Sequence, residues 1–324
     1  MRCLSLAEAC AEAGWAVTLY GQVPDFVAPR WAAFPTLTPN HDEQDVAHDW
    51  DDPTFLRALG DADVVITDLY ALDDRWRARC RCPVLAVSDL PHWPHACALR
   101  LMPTLFPPHR RLAEGDPVPT LTGPDHCLIA RDIRARRPQD APACAEARLL
   151  ISCGGGDDKG LAATLLRALA KDPAMVSVEG TVVLGALSPQ GRAEARTVAE
   201  ALPHLQVREK VTDMAALMEG HSVAFGTPAG AALERACMGM AQVLVPIVDN
   251  QLALAQGLAS HHIAQVLPLG ASGAQMTQAL APLLGQQQFR AQAAAQGWKT
   301  ITGGGAAAVI RALDTILAQR DPQP

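Results

Sequence analysis

The chain has 324 residues, a formal net charge of −7 and a composition that is 49% hydrophobic and 19% charged, enough material for two globular domains rather than one. Its acidic balance argues against a nucleic-acid or anionic-membrane partner, because either favours clustered Lys and Arg. No uninterrupted apolar run approaches the ~20 residues of a membrane span, no signal peptide is legible, and nine scattered cysteines fit a reducing compartment, so a cytoplasmic protein is expected.

The predicted elements begin inside a helix. In "MRCLSLAEACAEAGWAVTLYG", Leu4, Leu6, Ala7, Cys10 and Ala11 recur at helical spacing, Gly14 supplies a left-handed end, and Trp15 to Tyr20 alternates as a strand. A polar, Pro-rich stretch leads into a helix continued by Leu56 to Leu59, and "ADVVITDLY" has the composition of a buried parallel strand. "DDRWRARCR" is helical, "CPVLAVSDL" is a strand and "ALRLMPTL" a further candidate. Cys80 and Cys82 form a C-x-C with no second pair nearby, so no metal is expected. Residues 137–147 read as a linker.

The second half restarts the rhythm with "ARLLISCGGGDDKGLAATLLRALAKD", a strand, a glycine turn and a helix. The strands "EGTVVLGAL" and "LQVREKV" follow, each with a helix after it, and then two strand-turn-helix units, "HSVAFGTPAGAALERACMG" and "AQVLVPIVDNQLALAQGLASHH". "IAQVLPLG" is the last strand, and helices from about Thr277, from about Phe289 and over Ala306 to Gln319 complete the chain. The alternation predicts an α/β fold: two Rossmann-like doubly wound domains, 1–136 and 148–324, with a ligand cleft between them.

Three turns carry the candidate chemistry, each at the carboxyl end of a predicted strand. Gly154, Gly155, Gly156 and Asp157 follow "LLISC"; consecutive glycines admit a ligand close to the backbone, and the next helix directs N–H groups at a phosphate. A tight strand-to-helix turn is the plainer reading. Gly226, Thr227 and Gly230 form a second amide-rich turn, and Glu234, one helical turn after Gly230, has the chemistry to accept both hydroxyls of a ribose or to be a solvated carboxylate. In the third turn, Asn250 and Gln251 follow Asp249; their amides suit a sugar or pyrophosphate, and Asp249 or Asn250 equally suits a helix cap. The combination describes a nucleotide-diphosphate pocket. His92 and His95 are loop histidines, and His261-His262 ends a helix where positive character suits the dipole.

The order GGGD, G-T-x-x-G-x-x-x-E and D-N-Q resembles the donor-nucleotide domain of GT-B proteins. More narrowly, with "MRCLSLAEA", "VVITDLYALDDRW", "VSDLPHWPHAC" and "LTGPDHCLIARDIRA", the chain resembles the UDP-2,4-diacetamido-2,4,6-trideoxy-β-L-altropyranose hydrolases of pseudaminic acid biosynthesis. The resemblance implies attack of water at the anomeric carbon of a UDP-linked sugar, with UDP leaving, inversion and no cofactor. It implies Tyr70 and Asn250 near the reacting sugar, Glu234 on the ribose, and the turns at Gly154 and Thr227 on the diphosphate or uracil. A monomer or weak dimer is expected. A GT-B glycosyltransferase with a UDP-sugar donor, or an impaired UDP-sugar-binding paralogue, would use the same turns.

The departures are specific. The family's catalytic His sits in a G-x-G-H loop ahead of "MRCL", and no such loop occurs in these 324 residues. Its D-H-Y reads Asp68-Leu69-Tyr70, its Asp-Asp reads Ser88-Asp89, an Asp/Asn-rich end reads Met102-Pro103-Thr104, and a late D-G-x-G reads Thr302-Gly303-Gly304-Gly305. Loss of a general base typically costs ~10²–10⁴ in rate. On this reading Met1 is an internal methionine and the opening helix follows an absent central strand. The expected consequence is a first domain that unfolds before the second. A single cooperative transition at ordinary mesophilic temperature would count against it.

Overall fold

A computed structural model describes residues 2–21, 28–37, 53–68, 80–88, 97–105, 118–154, 158–185, 187 and 189–319. The chain divides into two compact units, Met1–Thr104 with Arg111–Arg131 and Gly303–Pro324, and Asp132–Thr302 with Leu105–Arg110.

In the first unit, helix α1 (Arg2–Glu12) buries Leu4, Leu6, Ala7 and Cys10, and Gly14 follows at φ 84°, the left-handed conformation expected of it. Strand β1 (Leu19–Tyr20), helix α2 (Ala28–Trp31) and strand β2 (Thr36–Leu37) come next, and β1 pairs β2 in parallel with Leu19 opposite Thr36. The strand expected from Trp15 is paired only at its end. Trp15 and Val17 instead pack against the apolar face of α1. Helix α3 (Pro53–Gly60) precedes β3 (Val65–Thr67), β4 (Val84–Val87), β5 (Leu99–Met102) and β6 (Thr120–Thr122), a parallel sheet in sequential order. Every residue of β4 and β5 is buried; β4 accordingly reads as a short apolar run, whereas β5 also buries Arg100.

Helix α4 (Arg131–Ala135) straddles the boundary between the units. The second unit then runs β7 (Leu149–Ser152), α5 (Leu161–Lys171), β8 (Gly180–Leu184), α6 (Pro189–Ala199), β9 (Leu205–Glu209) and α7 (Met214–Glu219). It continues through β10 (Val223–Gly226), α8 (Gly230–Cys237), β11 (Ala241–Leu244), α9 (Leu252–Ser260), β12 (Gln265–Val266), α10 (Gly273–Gly285) and α11 (Gln287–Thr300). Its six strands form one parallel sheet in the order β12-β11-β10-β7-β8-β9. Leu149, Ile151, Val223, Phe225 and Val243 are fully buried within it, each contributing about 1.5–3 kcal/mol. Leu161, Leu165, Leu166 and Leu169 bring the apolar stripe of α5 onto the same core.

Helix α10 starts earlier than the expected Thr277. Ser272 caps it, accepting from the Gln275 amide at 3.3 Å, while the Gln275 side chain accepts from the Ser272 amide at 2.8 Å. This reciprocal pair satisfies two helix-end donors ahead of the apolar stripe from which the later start was read.

The stretch 137–147 is laced onto its own unit rather than hanging free. Arg290, buried on α11, donates to the carbonyls of Cys144 and Ala145. Trp298 donates to the Pro138 carbonyl, and Arg137 stacks over the Trp298 ring at 4.4 Å.

The last helix, α12 (Gly305–Ala318), belongs to the first unit, not with 148–302 as the sequence boundary placed it. Val309 and Leu313 join Leu6, Leu85 and Leu101 in one core. Gly305 lies so close to Cys127 that a Cβ would stand 2.2 Å from its carbonyl oxygen. The apolar length Gln287–Ala318 meets the composition of a membrane span. Gly303 at φ 84° separates it into α11 and α12, 14 residues each, short of the ~20 needed.

His221, just before β10, is held neutral. Its Nδ1 donates to the Leu217 carbonyl at 2.7 Å, and its Nε2 accepts from the Thr181 hydroxyl at 3.0 Å. Burial, reinforced by the Arg148 charge, lowers its pKa from 6.5. The unfolded chain therefore binds a proton that the folded chain resists. This site costs nothing above pH 6.5, and stability is lost as pH falls below it. Urea unfolding of the wild type should show this decline between pH 6.5 and 5, and His221→Asn should flatten it.

Candidate functional site

The second unit's sheet reverses its winding between β7 and β10: β8 and β9 lie on one side, β11 and β12 on the other. In open parallel sheets this switch point is where strand-end loops part and ligands bind. Ser152 at the end of β7 is in register with Gly226 at the end of β10, and Gly226 is in register with Leu244 at the end of β11. The three strands that lead into the turns singled out from the sequence thus end side by side, at one level.

Gly154 takes φ 99°, a conformation for which glycine is suited. Gly155, Gly156 and Asp157 lie outside the described residues. The helix that follows is not open to a phosphate as expected. Asp158, 4% exposed, accepts from the amides of Gly160 and Ala162 at 2.9 and 3.0 Å. Its carboxylate both uses these donors and places negative charge at the start of α5.

The second turn separates into structural and open parts. A Cβ on Gly226 would stand 2.1 Å from the Ser152 carbonyl oxygen, so this glycine serves the strand packing. Thr227, 2% exposed, donates its hydroxyl to the Cys153 carbonyl at 3.1 Å and ties the second turn to the first. Gly230 differs. It is exposed, has no left-handed φ, and a Cβ there would meet nothing within 4 Å. Neither packing nor backbone conformation demands a glycine at this position. Among the described residues, the amides of Gly230 and Ala231 meet no hydrogen-bond acceptor, and no side chain caps α8. Glu234, half-buried, follows one helical turn along.

In the third turn, Asp249–Gln251 form a single 3₁₀ turn. Asp249 and Asn250 are exposed, and neither caps the turn or α9. Gln251 is partly occupied, its side-chain oxygen accepting from the Ile247 amide at 2.9 Å. Among the described residues, its amide nitrogen and the Asn250 side chain make no hydrogen bond.

Arg235 is the residue that sequence reasoning missed. It is fully buried on α8 and donates to Gln242 Oε1 at 2.9 Å, the Ser152 carbonyl at 3.1 Å and the Thr227 carbonyl at 3.5 Å. The available signal was an Arg set among Ala232, Leu233, Ala236 and Cys237, the buried face of a short helix.

Of the first unit's candidates, Tyr70, His92 and His95 lie outside the described residues. Asp68, at the end of β3, pairs with Arg2 at 2.6 Å and accepts from Cys3 Sγ at 3.7 Å. Burial, with Asp68 alongside, raises the Cys3 thiol to about 12, so Cys3 is no nucleophile at neutral pH. Among the described residues, no cluster of His, Cys, Asp and Glu is arranged to hold a metal.

Solved structures place this architecture in the GT-B fold. Acinetobacter baumannii MurG superposes with a TM-score of 0.62 at 16% identity, covering 97% of this chain and 95% of that one. The UDP-GlcNAc 2-epimerase of Neisseria meningitidis bound to UDP-GlcNAc gives 0.65 at 12% identity over 97% and 96%. Spinosyn rhamnosyltransferase SpnG complexed with thymidine diphosphate gives 0.63 at 19% identity over 97% and 96%. By sequence, the chain is similar to the spore coat polysaccharide biosynthesis protein SpsG of Bacillus subtilis (strain 168), 29% identical over 149 residues. That match covers 46% of this chain and 43% of the SpsG length. No protein-family model matches.

The two glycines of the second turn should behave oppositely. Gly226→Ala forces backbone apart and should cost about 1–3 kcal/mol or more in unfolding free energy. Gly230→Ala should leave stability unchanged or raise it by up to about 1 kcal/mol. Chemical denaturation of both variants measures the contrast.

Proposed function

We propose that this chain is a nucleotide-sugar enzyme that binds UDP at the switch point of its second unit and releases it from a UDP-linked sugar by hydrolysis. The observation that carries the reading is that β7, β10 and β11, the strands leading into the three turns, end side by side at one level. Beside them stand open amides at the start of α8 and a carboxylate one turn on. Uncapped helix amides attract a diphosphate, and a carboxylate at Glu234 accepts two hydroxyls of a ribose. The same amides would stabilise charge developing on departing UDP. By the resemblance, Asn250 belongs near the reacting sugar, and the Gln251 amide suits a sugar or pyrophosphate oxygen.

The finer assignment, a UDP-linked diacetamido-trideoxy sugar of the kind used in pseudaminic acid biosynthesis, rests on the resemblance of the motifs. In that reaction a water oxygen bonds to the anomeric carbon. The bond from that carbon to the phosphate oxygen breaks with its electron pair going to UDP, and the water proton passes to solvent water. Tyr70 belongs near the reacting sugar in this reading.

Transfer to an acceptor is the second reading, favoured by the likeness to rhamnosyltransferase and MurG folds. Release of UDP from the altrose nucleotide distinguishes the two. A hydrolase releases UDP at the same rate with or without acceptor, whereas a transferase stays near background until an acceptor is added. Binding of UDP with no turnover under either condition would leave only the binding half of the proposal. For the ribose contact, wild type should prefer UDP to 2′-deoxy-UDP. Glu234→Gln should erase that preference and weaken UDP by roughly tenfold, in line with the about 1.5–3 kcal/mol of a hydrogen bond to a charged group.

A further inference from the structure

We propose that Arg235 is a positioning residue of the nucleotide site, a buried cation that joins the turns on either side of the switch point and sets the affinity for the charged phosphates without touching them. The proposal rests on the reading of that site as a diphosphate site.

Its contacts have no obvious structural economy. Arg235 is 0% exposed, and among the described residues its donors end on neutral acceptors: Gln242 Oε1, the Ser152 carbonyl and the Thr227 carbonyl. Gln242 is oriented for this by its own amide, which donates to the Ala232 carbonyl at 2.9 Å. Glu234, its chain neighbour, acts on it through space. A cation buried on neutral partners is unfavourable compared with a packed apolar side chain of similar volume. Burial draws its pKa down to about 10, which leaves it charged at neutral pH.

Position gives the charge a use. Ser152 ends β7 and Thr227 follows β10, so one planar guanidinium holds the carbonyl rims of both strands that flank the switch point. Side chains on a helix lean toward its N-terminus, and Arg235 accordingly reaches back beneath Thr227, toward the open start of α8. Gly226 admits it: a Cβ there would lie 3.2 Å from Arg235 Nη2. The guanidinium is thus shielded from solvent and little screened by salt, on the helix whose first two amides meet no acceptor among the described residues. An anion seated on those amides would balance the charge from above. The ligand class this favours carries two or more negative charges at that point, as a nucleoside diphosphate does.

Calorimetric titration of uridine, UMP and UDP reads the effect directly, because the base and ribose are held constant while charge is added. In wild type, affinity should rise steeply from uridine to UDP, and the rise should persist at high salt. In Arg235→Met, uridine should bind as before while the gain from uridine to UDP shrinks by roughly tenfold or more; Arg235→Lys should recover part of it. A merely structural role would lower affinity for all three ligands together or leave them unchanged. If Arg235→Met does not fold, Arg235→Lys and the salt series on wild type carry the test. Equal gains in wild type and variant, or a wild-type gain that vanishes at high salt, overturn the role of Arg235 alone. No binding of any of the three by wild type overturns the nucleotide reading and this proposal with it.

Discussion

The close approach of β10 to β7 at Gly226 is the constraint on which the candidate site depends. With no Cβ at that position the Ser152 carbonyl can lie where a methyl group would otherwise stand. The guanidinium of Arg235 can then reach both rims at once. Thr227 adds a second tie from the same turn to the Cys153 carbonyl. Two strands that part company in chain order are thereby locked together at their carboxyl ends, where a doubly wound sheet would otherwise splay into independent loops.

Charge is distributed unevenly above this lock. At α5 the buried Asp158 carboxylate satisfies the first amides and supplies the negative end that the helix dipole prefers. At α8, among the described residues, no side chain does so: the helix begins uncapped and carries the buried Arg235. Two helix starts that look alike in the sequence therefore differ in how their first amides are used. The exposed Asn250 and the half-used Gln251 sit in the 3₁₀ turn that follows the next strand, β11.

Most of the second unit was legible. Its strands are short apolar runs, its helices carry apolar residues three and four apart, and its turns announce themselves with glycine. Boundaries were less so. The start of α10 depends on a side-chain capping pair, Ser272 and Gln275, which precedes the apolar stripe that guided the eye. The strand from Trp15 shrank to Leu19–Tyr20 because a strand needs a partner, and only those two residues have one. The roles of the glycines were not legible at all. Gly226 and Gly230 look equivalent in "FGTPAG", but one is required by a carbonyl on the neighbouring strand and the other meets open space.

The amino-acid sequence by itself determined the fold class and the location of the three polar turns, because hydrophobic period and glycine placement act over a few residues. Tertiary structure alone decided which turns are neighbours, because strand order is set by packing across the sheet and not by chain distance. It also decided that Asp158 closes one helix start and that α12 belongs with the first unit. Most of all it decided the place of Arg235, whose acceptors come from two strands, β7 and β11, and from the turn beyond β10.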